Sequence, residues 1–284
     1  MNYYLIEKGE ETMSSKGAIG VFDSGLGGLT VAKEIMKLLP RESIVYFGDT
    51  GRVPYGTRSR ETIRRYALED ERFLLSKNVK IIVAACGTVS SVAADTGESL
   101  PVPFVEVVTH SCYAAARATK NGKIGVLATS ATVQSGAHRE KLLSIMPDAK
   151  IIEQSGTLLV PLVEEGWTSP DDAVVTGTLE RYLAPMKEAG VDTVILGCTH
   201  FPILSDAIKR VLGEGVTLIN MGVAAAERVR ELLVESNSQN DSVMPPVHRF
   251  FVSDKPQSFS RTARTLLGEA IDETQVEQVN IKEL

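Results

Sequence analysis

Short apolar runs of strand length alternate along the chain with segments whose apolar residues recur at helical spacing. Residues 18–22, 81–85, 123–127 and 193–197 are runs of the first kind. A continuous apolar run of this length is typical of a strand that is buried on both faces of a parallel sheet. The alternation of strand and helix patterns predicts an α/β fold with mostly parallel sheets flanked by helices.

Two of the apolar runs end in the same way. Residues 81–88 read Ile-Ile-Val-Ala-Ala-Cys-Gly-Thr, and residues 193–200 read Thr-Val-Ile-Leu-Gly-Cys-Thr-His. Each is a strand pattern, a small residue, a cysteine and a threonine, followed by a helical pattern. Ligands of open parallel sheets sit beyond the carboxyl ends of the strands. Cys86 and Cys198 are therefore predicted to lie at the edges where chemistry is usually placed.

The length of 284 residues suggests about two domains. We predict a first α/β domain built from residues 17–111 and 222–284, and a second from residues 112–221. A strand over residues 104–108 and a helix over residues 111–119 are predicted where the chain leaves the first domain.

Composition and charge narrow the class of function. The net charge of −6 argues against a nucleic-acid partner. No apolar run reaches membrane-spanning length, so we expect no membrane partner. Residues 1–16 lack the apolar stretch of a signal peptide and are predicted to form a loose N-terminal extension. Three cysteines do not make a disulfide framework, which favours a cytoplasmic location.

Two loops at predicted strand ends carry binding chemistry. The first begins at Asp23 and reads G-x-G-G, with Thr30 in the place of the third glycine of a dinucleotide fingerprint. Asp23 and Ser24 instead present polar side chains beside free backbone N–H groups, which suit a carboxylate or a phosphate. The second loop, residues 48–56, combines glycines, a proline and charged residues, which is typical of a binding element.

Other charged and metal-ligating residue types are predicted to be structural. The helix expected over residues 60–75 carries Glu69 and Glu71 on what we interpret as a solvated face. His110 lies close to Cys112, but the chain has no Cys-x-x-Cys or His-x₃-His pattern. We therefore predict no metal site and a buried, inert Cys112.

The two repeated cysteines suit several chemistries. A cysteine acts as a thiolate, and a helix N-terminus stabilises that form and lowers the thiol pKa from about 8.5. Both Cys86 and Cys198 precede predicted helices, so lowered pKa values are expected. The pair suits a redox couple, a cysteine nucleophile with a histidine, or proton transfer at a stereocentre from opposite faces. Two inert buried cysteines are the alternative, but that interpretation must explain the same arrangement twice.

Several stretches of the chain share a pattern with a known family: residues 19–29, 48–50, 53–56, 85–88 and 197–202. In content and order they resemble the motifs of the glutamate racemases. The resemblance implies two pseudo-symmetric α/β domains with the active site between them. It implies a racemase without a cofactor that interconverts L- and D-glutamate for peptidoglycan synthesis. Members of this family are often homodimers.

The resemblance also implies roles for individual residues. Cys86 would act on the D-enantiomer and Cys198 on the L-enantiomer. Asp23 and His200 would assist the two thiols, and Glu164 would lie near the second. The residues implied to line the substrate site are Asp23, Ser24, Tyr55, Gly56, Gly87, Thr88, Thr199 and His200.

The chain departs from the family pattern at three places. Gly87 stands where the family has asparagine, and Asn220 stands where aspartate is common. Residues 154–157 differ from the usual Ala-Cys-Pro motif. These changes leave two alternatives open: a racemase of aspartate, a hydantoin or another small acid, and a binding or regulatory protein on the same scaffold. His200 favours glutamate, because aspartate racemases tend to carry glutamate there.

Overall fold

The structure of the protein is a computed structural model that describes residues 17–255, 259–268 and 276–281. The predicted extension of residues 1–16 lies outside these ranges. Within them, no helix is both long and apolar enough to cross a membrane.

The strands of the described ranges form two sheets. They are β1 (Ala18–Asp23), β2 (Ile44–Gly48), β3 (Val79–Ala84), β4 (Phe104–Glu106), β5 (Lys123–Ala128), β6 (Lys150–Ser155), β7 (Thr193–Gly197), β8 (Thr217–Asn220), β9 (Arg249–Val252) and β10 (Val276–Gln278). The six-stranded sheet has the order β10-β9-β2-β1-β3-β4, and the four-stranded sheet has the order β6-β5-β7-β8. Every strand pair runs parallel.

Helices follow the strands in alternation. They are α1 (Leu29–Leu38), α2 (Arg60–Ser76), α3 (Gly87–Val92), α4 (Val107–Ala118), α5 (Ser130–Ser135), α6 (Ala137–Ile145), α7 (Leu159–Glu164), α8 (Ala173–Ala189), α9 (Ser205–Leu212), α10 (Met221–Glu235) and α11 (Phe259–Leu267). Short 3₁₀ turns cover Tyr55–Thr57, Ala94–Ser99 and Phe201–Leu204.

The apolar runs are the central strands of the two sheets. Every residue of β3 and of β7 is buried, as expected for strands covered on both faces. Helix α10 packs against both α1 and α4, so it joins the helical layers of the two sheets. The prediction of parallel sheets flanked by helices is confirmed.

The passage from β4 to α4 differs from the prediction. The strand predicted over residues 104–108 ends at Glu106, and the helix predicted from residue 111 already begins at Val107. The Glu106 carboxylate accepts the backbone N–H groups of Val108 at 2.6 Å and Thr109 at 2.9 Å, which caps the helix four residues early. The predicted division at residue 112 therefore falls inside α4.

A buried ion pair fixes the segment that follows α10 to the amino-terminal ends of strands β2 and β3. Lys80 and Glu42 are each 3% exposed, and Lys80 Nζ lies 2.7 Å from Glu42 Oε2. Lys80 also donates to the Ser238 carbonyl at 2.8 Å, and Glu42 Oε1 accepts the Asn240 N–H at 2.8 Å. Both charges are thus compensated away from water.

Replacing Lys80 by methionine should lower the free energy of unfolding by about 3–5 kcal/mol, because Glu42 would keep a buried charge without its cation. The measurement is urea denaturation followed by circular dichroism. The double variant Lys80→Met/Glu42→Leu should lose much less than the sum of the single losses. Lys37→Met, at an exposed position of α1, is the matched control. Equal losses for Lys80→Met and Lys37→Met would contradict this account.

Candidate active site

A cavity of about 480 Å³ lies where the carboxyl ends of the two sheets meet. Asp23 ends β1, Cys86 follows β3, Thr129 follows β5 and Cys198 follows β7. Every residue for which the sequence predicted a site role lines this cavity, namely Asp23, Ser24, Tyr55, Gly56, Cys86, Gly87, Thr88, Glu164, Cys198, Thr199 and His200. The structure therefore brings the predicted set together, while the individual roles stay predictions.

Cys86 is held on one side of the cavity among neutral and acidic groups. Its sulfur lies 3.5 Å from the Ser24 hydroxyl. Burial raises the pKa of the Cys86 thiol to about 12, and the negative charge of Asp23 contributes to the rise. The expectation of a lowered pKa is wrong for this residue. Helix α3 begins directly after Cys86 but is only six residues long, so it does not outweigh burial.

Asp23 is buried beside the same thiol. Its carboxylate accepts the backbone N–H of Gly25 at 3.1 Å. Burial raises the pKa of the Asp23 carboxyl. The charge of His200 and the backbone N–H groups of Ser24, Gly25 and Gly28 oppose the rise. Two groups on this side, the Cys86 thiol and the Asp23 carboxyl, are thus shifted toward their protonated forms.

Cys198 has a different environment. Its sulfur lies 3.8 Å from Nδ1 of His200, whose Nε2 lies 3.3 Å from Oε1 of Glu164. Burial alone would lower the pKa of His200, but hydrogen bonds to Cys198 and Glu164 and the charges of Cys198 and Asp23 raise it to about 10. At neutral pH His200 is therefore a cation placed between a thiol and a carboxylate.

Glycines allow the loops of the two sheets to touch. A Cβ atom on Gly87 would lie 2.7 Å from the carbonyl oxygen of Gly197, so the residue after one cysteine abuts the residue before the other. The asparagine that the family carries at this place would require that contact to open. A Cβ atom on Gly27 would clash with Thr199 Oγ1 and lie 2.5 Å from His200 Cε1.

Replacing Gly27 by alanine should lower kcat/KM for the reaction at this site about a hundredfold, because the new methyl group would displace Thr199 and His200. Steady-state kinetics by circular dichroism provide the measurement. Gly177→Ala is the control, since a Cβ atom at this position of α8 meets nothing within 4 Å. If the two variants were equally active, the close packing of Gly27 would have no functional consequence.

Apart from Thr199, the sequence did not identify the hydroxyl groups that the second sheet contributes. Thr129, Ser130 and Thr157 also line the cavity, and Thr129 Oγ1 lies 3.4 Å from Thr88 Oγ1 across the junction of the two sheets. The available signal was the hydroxyl-rich turn directly after the apolar run that forms β5. None of the described residues that line the cavity is a lysine or an arginine.

Three further predictions concern Tyr55, Cys112 and metal binding. The Tyr55 hydroxyl is hydrogen-bonded to the buried carboxyl groups of Asp49 and Asp70. Cys112 is fully buried, as predicted, and burial raises its thiol pKa. Within residues 17–255, 259–268 and 276–281, no group of three or more ligating side chains could hold a metal ion.

Comparison with known proteins places this arrangement in a class. The family model described as Asp/Glu/Hydantoin racemase matches residues 19–229. The chain is 43% identical to the glutamate racemase of Geobacter metallireducens over 252 residues, which are 88% of this chain and 93% of that relative. The chain therefore belongs to the Asp/Glu/hydantoin racemase family, and within it to the glutamate racemases, which are isomerases.

Solved structures agree with this assignment. Glutamate racemase isoform RacE1 from Bacillus anthracis superposes with a TM-score of 0.88 at 38% identity and covers 93% of this chain and 98% of that one. Glutamate racemase from Francisella tularensis in complex with D-glutamate gives a TM-score of 0.87 at 34% identity and covers 95% of this chain and 100% of that one. The fold is thus that of the glutamate racemases over most of its length.

Proposed function

We propose that the protein interconverts L-glutamate and D-glutamate by two-base proton transfer at the α-carbon. The observation that carries the proposal is that Cys86 and Cys198 line one cavity from strands of two different sheets. An α-carbon bound between them is accessible to one sulfur on each face. The D-glutamate bound to the Francisella tularensis relative supports glutamate as the substrate.

The reaction needs one thiolate and one thiol at a time. Starting from L-glutamate, the Cys198 thiolate removes the α-proton, which breaks the C–H bond and forms an S–H bond. The Cys86 thiol then transfers its proton to the opposite face of the carbanion, which leaves Cys86 as the thiolate and releases D-glutamate. The reverse reaction begins with the Cys86 thiolate, so no net oxidation occurs in either direction.

Three side chains support these transfers. The cationic His200, 3.8 Å from the Cys198 sulfur, stabilises negative charge on that sulfur. Glu164, 3.3 Å from His200, keeps the imidazole protonated. Asp23, whose pKa is raised by burial, lies beside Cys86 and helps to keep that site protonated until the proton is transferred.

The two substrate carboxylates would be held mainly by neutral donors. Hydroxyl groups of Ser24, Thr88, Thr129 and Thr199 line the cavity, together with the backbone N–H groups of the glycine turn. Hydrogen bonds from such donors to an ionised acceptor are stronger than neutral pairs. Because Gly87 has no side chain, the family asparagine's contact would pass to these hydroxyls. This donor set matches an acyclic dicarboxylic amino acid.

The biological setting follows from the proposed reaction. D-Glutamate would be supplied for peptidoglycan synthesis in the cytoplasm, and no cofactor takes part in the proposed steps. Two domains, residues 17–111 plus 222–284 and residues 112–221, would face each other across the cavity. The strands of the two sheets divide the chain in the same way, which supports this division. A homodimer, which the family resemblance implies, remains part of the proposal.

Incubation with L-glutamate in D₂O tests the substrate assignment. The circular dichroism signal should decay to zero as the α-position gains deuterium, and L-aspartate should react at least about a hundredfold more slowly. Faster decay with L-aspartate than with L-glutamate would identify aspartate as the substrate. Binding of glutamate without any decay would identify a binding protein instead of an enzyme.

A further inference from the structure

A buried polar cluster lies behind the cavity wall formed by residues 53–57. Tyr55 is 1% exposed, and its hydroxyl contacts Oδ2 of Asp49 and, at 3.0 Å, Oδ2 of Asp70. Asp49 and Asp70 are both 0% exposed. Two carboxyl groups removed from water thus meet at a single phenolic oxygen.

The Tyr55 hydroxyl has more carboxyl contacts than hydrogens to donate. A phenolic hydroxyl has one hydrogen to donate, so it cannot donate to both Asp49 and Asp70. One of the two contacts therefore needs a hydrogen that the carboxyl group supplies. Without that hydrogen, a carboxylate oxygen would face the phenolic oxygen with only lone pairs between them.

Asp49 is already an acceptor at both of its oxygens. Its Oδ1 accepts the Ser253 hydroxyl at 2.6 Å, and its Oδ2 accepts Arg52 Nε–H in addition to the Tyr55 contact. Asp70 accepts Arg52 Nη2–H at 2.9 Å on Oδ1 only, so its Oδ2 has the Tyr55 oxygen as its polar neighbour. The extra hydrogen therefore belongs on Asp70 Oδ2.

We propose that Asp70 is a neutral carboxylic acid that donates a hydrogen bond to the Tyr55 hydroxyl, and that this bond positions the cavity wall of residues 53–57. Its significance for catalysis rests on the function proposed above. Burial raises the pKa of Asp70 well above its ordinary value, and the charge of Asp49 adds to the rise. The charge of Arg52 and the Tyr55 hydrogen bond oppose it, while Glu69 adds to it.

Side-chain contacts of the cluster, and not a long helix, support this wall. Tyr55 opens the single 3₁₀ turn Tyr55–Thr57, which by itself fixes little backbone. The Arg52 guanidinium lies 4.0 Å from the centre of the Tyr66 ring and donates hydrogen bonds to Asp49, Glu69 and Asp70. Asp70 is therefore a positioning residue, and its loss should weaken substrate binding more than it slows proton transfer.

Three variants test the assignment. In Asp70→Asn the amide N–H₂ group can donate to Tyr55 while the amide oxygen accepts from Arg52, so kcat/KM should stay within about threefold of wild type. Asp70→Ala removes both bonds and should lower kcat/KM about tenfold or more, mostly through KM. Because Asp70 is neutral in this scheme, Asp49 supplies the buried negative charge that pairs with Arg52, so Asp49→Asn should be as damaging as Asp70→Ala.

Infrared difference spectra give a readout that does not depend on turnover. At neutral pH the wild-type spectrum should contain the C=O stretch of a protonated carboxylic acid that is absent from the spectrum of Asp70→Asn. Absence of this difference, or Asp70→Asn as impaired as Asp70→Ala, would overturn the proposal. An inactive wild-type protein that still shows the band would count against the proposed racemase function and leave the protonated Asp70 established.

Discussion

Replacing either Cys86 or Cys198 by alanine should lower kcat for glutamate racemisation by about a thousandfold or more. Each sulfur is the only proton carrier proposed for its face of the α-carbon, and positioned acid–base groups contribute about 10²–10⁴-fold to rates. Circular dichroism with each enantiomer as the substrate is the measurement. Cys112→Ala, which removes the fully buried third thiol on α4, should remain close to wild type in kcat.

The two active-site cysteine variants should also be equally inactive in both directions. At equilibrium the two enantiomers are present in equal amounts, so kcat/KM must be the same for L- and D-glutamate in any variant. A Cys86→Ala or Cys198→Ala enzyme with near-normal activity would exclude the two-base scheme. If Cys112→Ala lost activity as well, the losses in the other two variants could result from misfolding and would not identify the two proton carriers.

Replacing His200 by asparagine should lower kcat about a hundredfold, because the cation 3.8 Å from the Cys198 sulfur would be lost. In wild type, activity should fall as pH rises through about 10, where His200 loses its proton. Glu164→Gln should move this fall to lower pH, because the Glu164 hydrogen bond is one of the causes that raise the pKa of His200. The measurement is kcat against pH for all three proteins.

The raised pKa of His200 also affects the stability of the folded protein. The folded-state pKa of His200 is raised from 6.5 to about 10, so its protonation stabilises the fold fully below about pH 6.5. This contribution is lost as pH rises from 6.5 through 10, and His200→Asn should not show the loss. Wild-type activity that stayed constant up to pH 11 would contradict the role given to His200. A fall in activity at the same pH in Glu164→Gln as in wild type would contradict it as well.

Much of the fold follows from local patterns in the sequence. Apolar runs such as those of β3 and β7 become fully buried parallel strands because strand length and side-chain type suffice to specify them. The residues after such strands, Cys86 and Cys198, then fall at the carboxyl edge by topology alone. The gathering of the predicted residues around one cavity depends on this rule together with the family resemblance.

The remaining features depend on contacts between distant residues. Glu71, predicted to be solvated, is 0% exposed and accepts a hydrogen bond from Thr96, which no helical periodicity reveals. The raised pKa of Cys86 results from burial and from Asp23, which lies far away in the sequence. The contact of Gly87 with the Gly197 carbonyl likewise requires the relative placement of the two sheets.

The most direct test of the central claim is the position of isotope early in a reaction of L-glutamate in D₂O. With one sulfur on each face, the D-glutamate formed should carry deuterium from the Cys86 thiol, while the L-glutamate that remains should still carry protium. The measurement is mass spectrometry of the separated enantiomers at less than about a tenth of conversion. A product that retains the original α-proton, or deuterium appearing equally in both enantiomers, would show a single base and contradict the account.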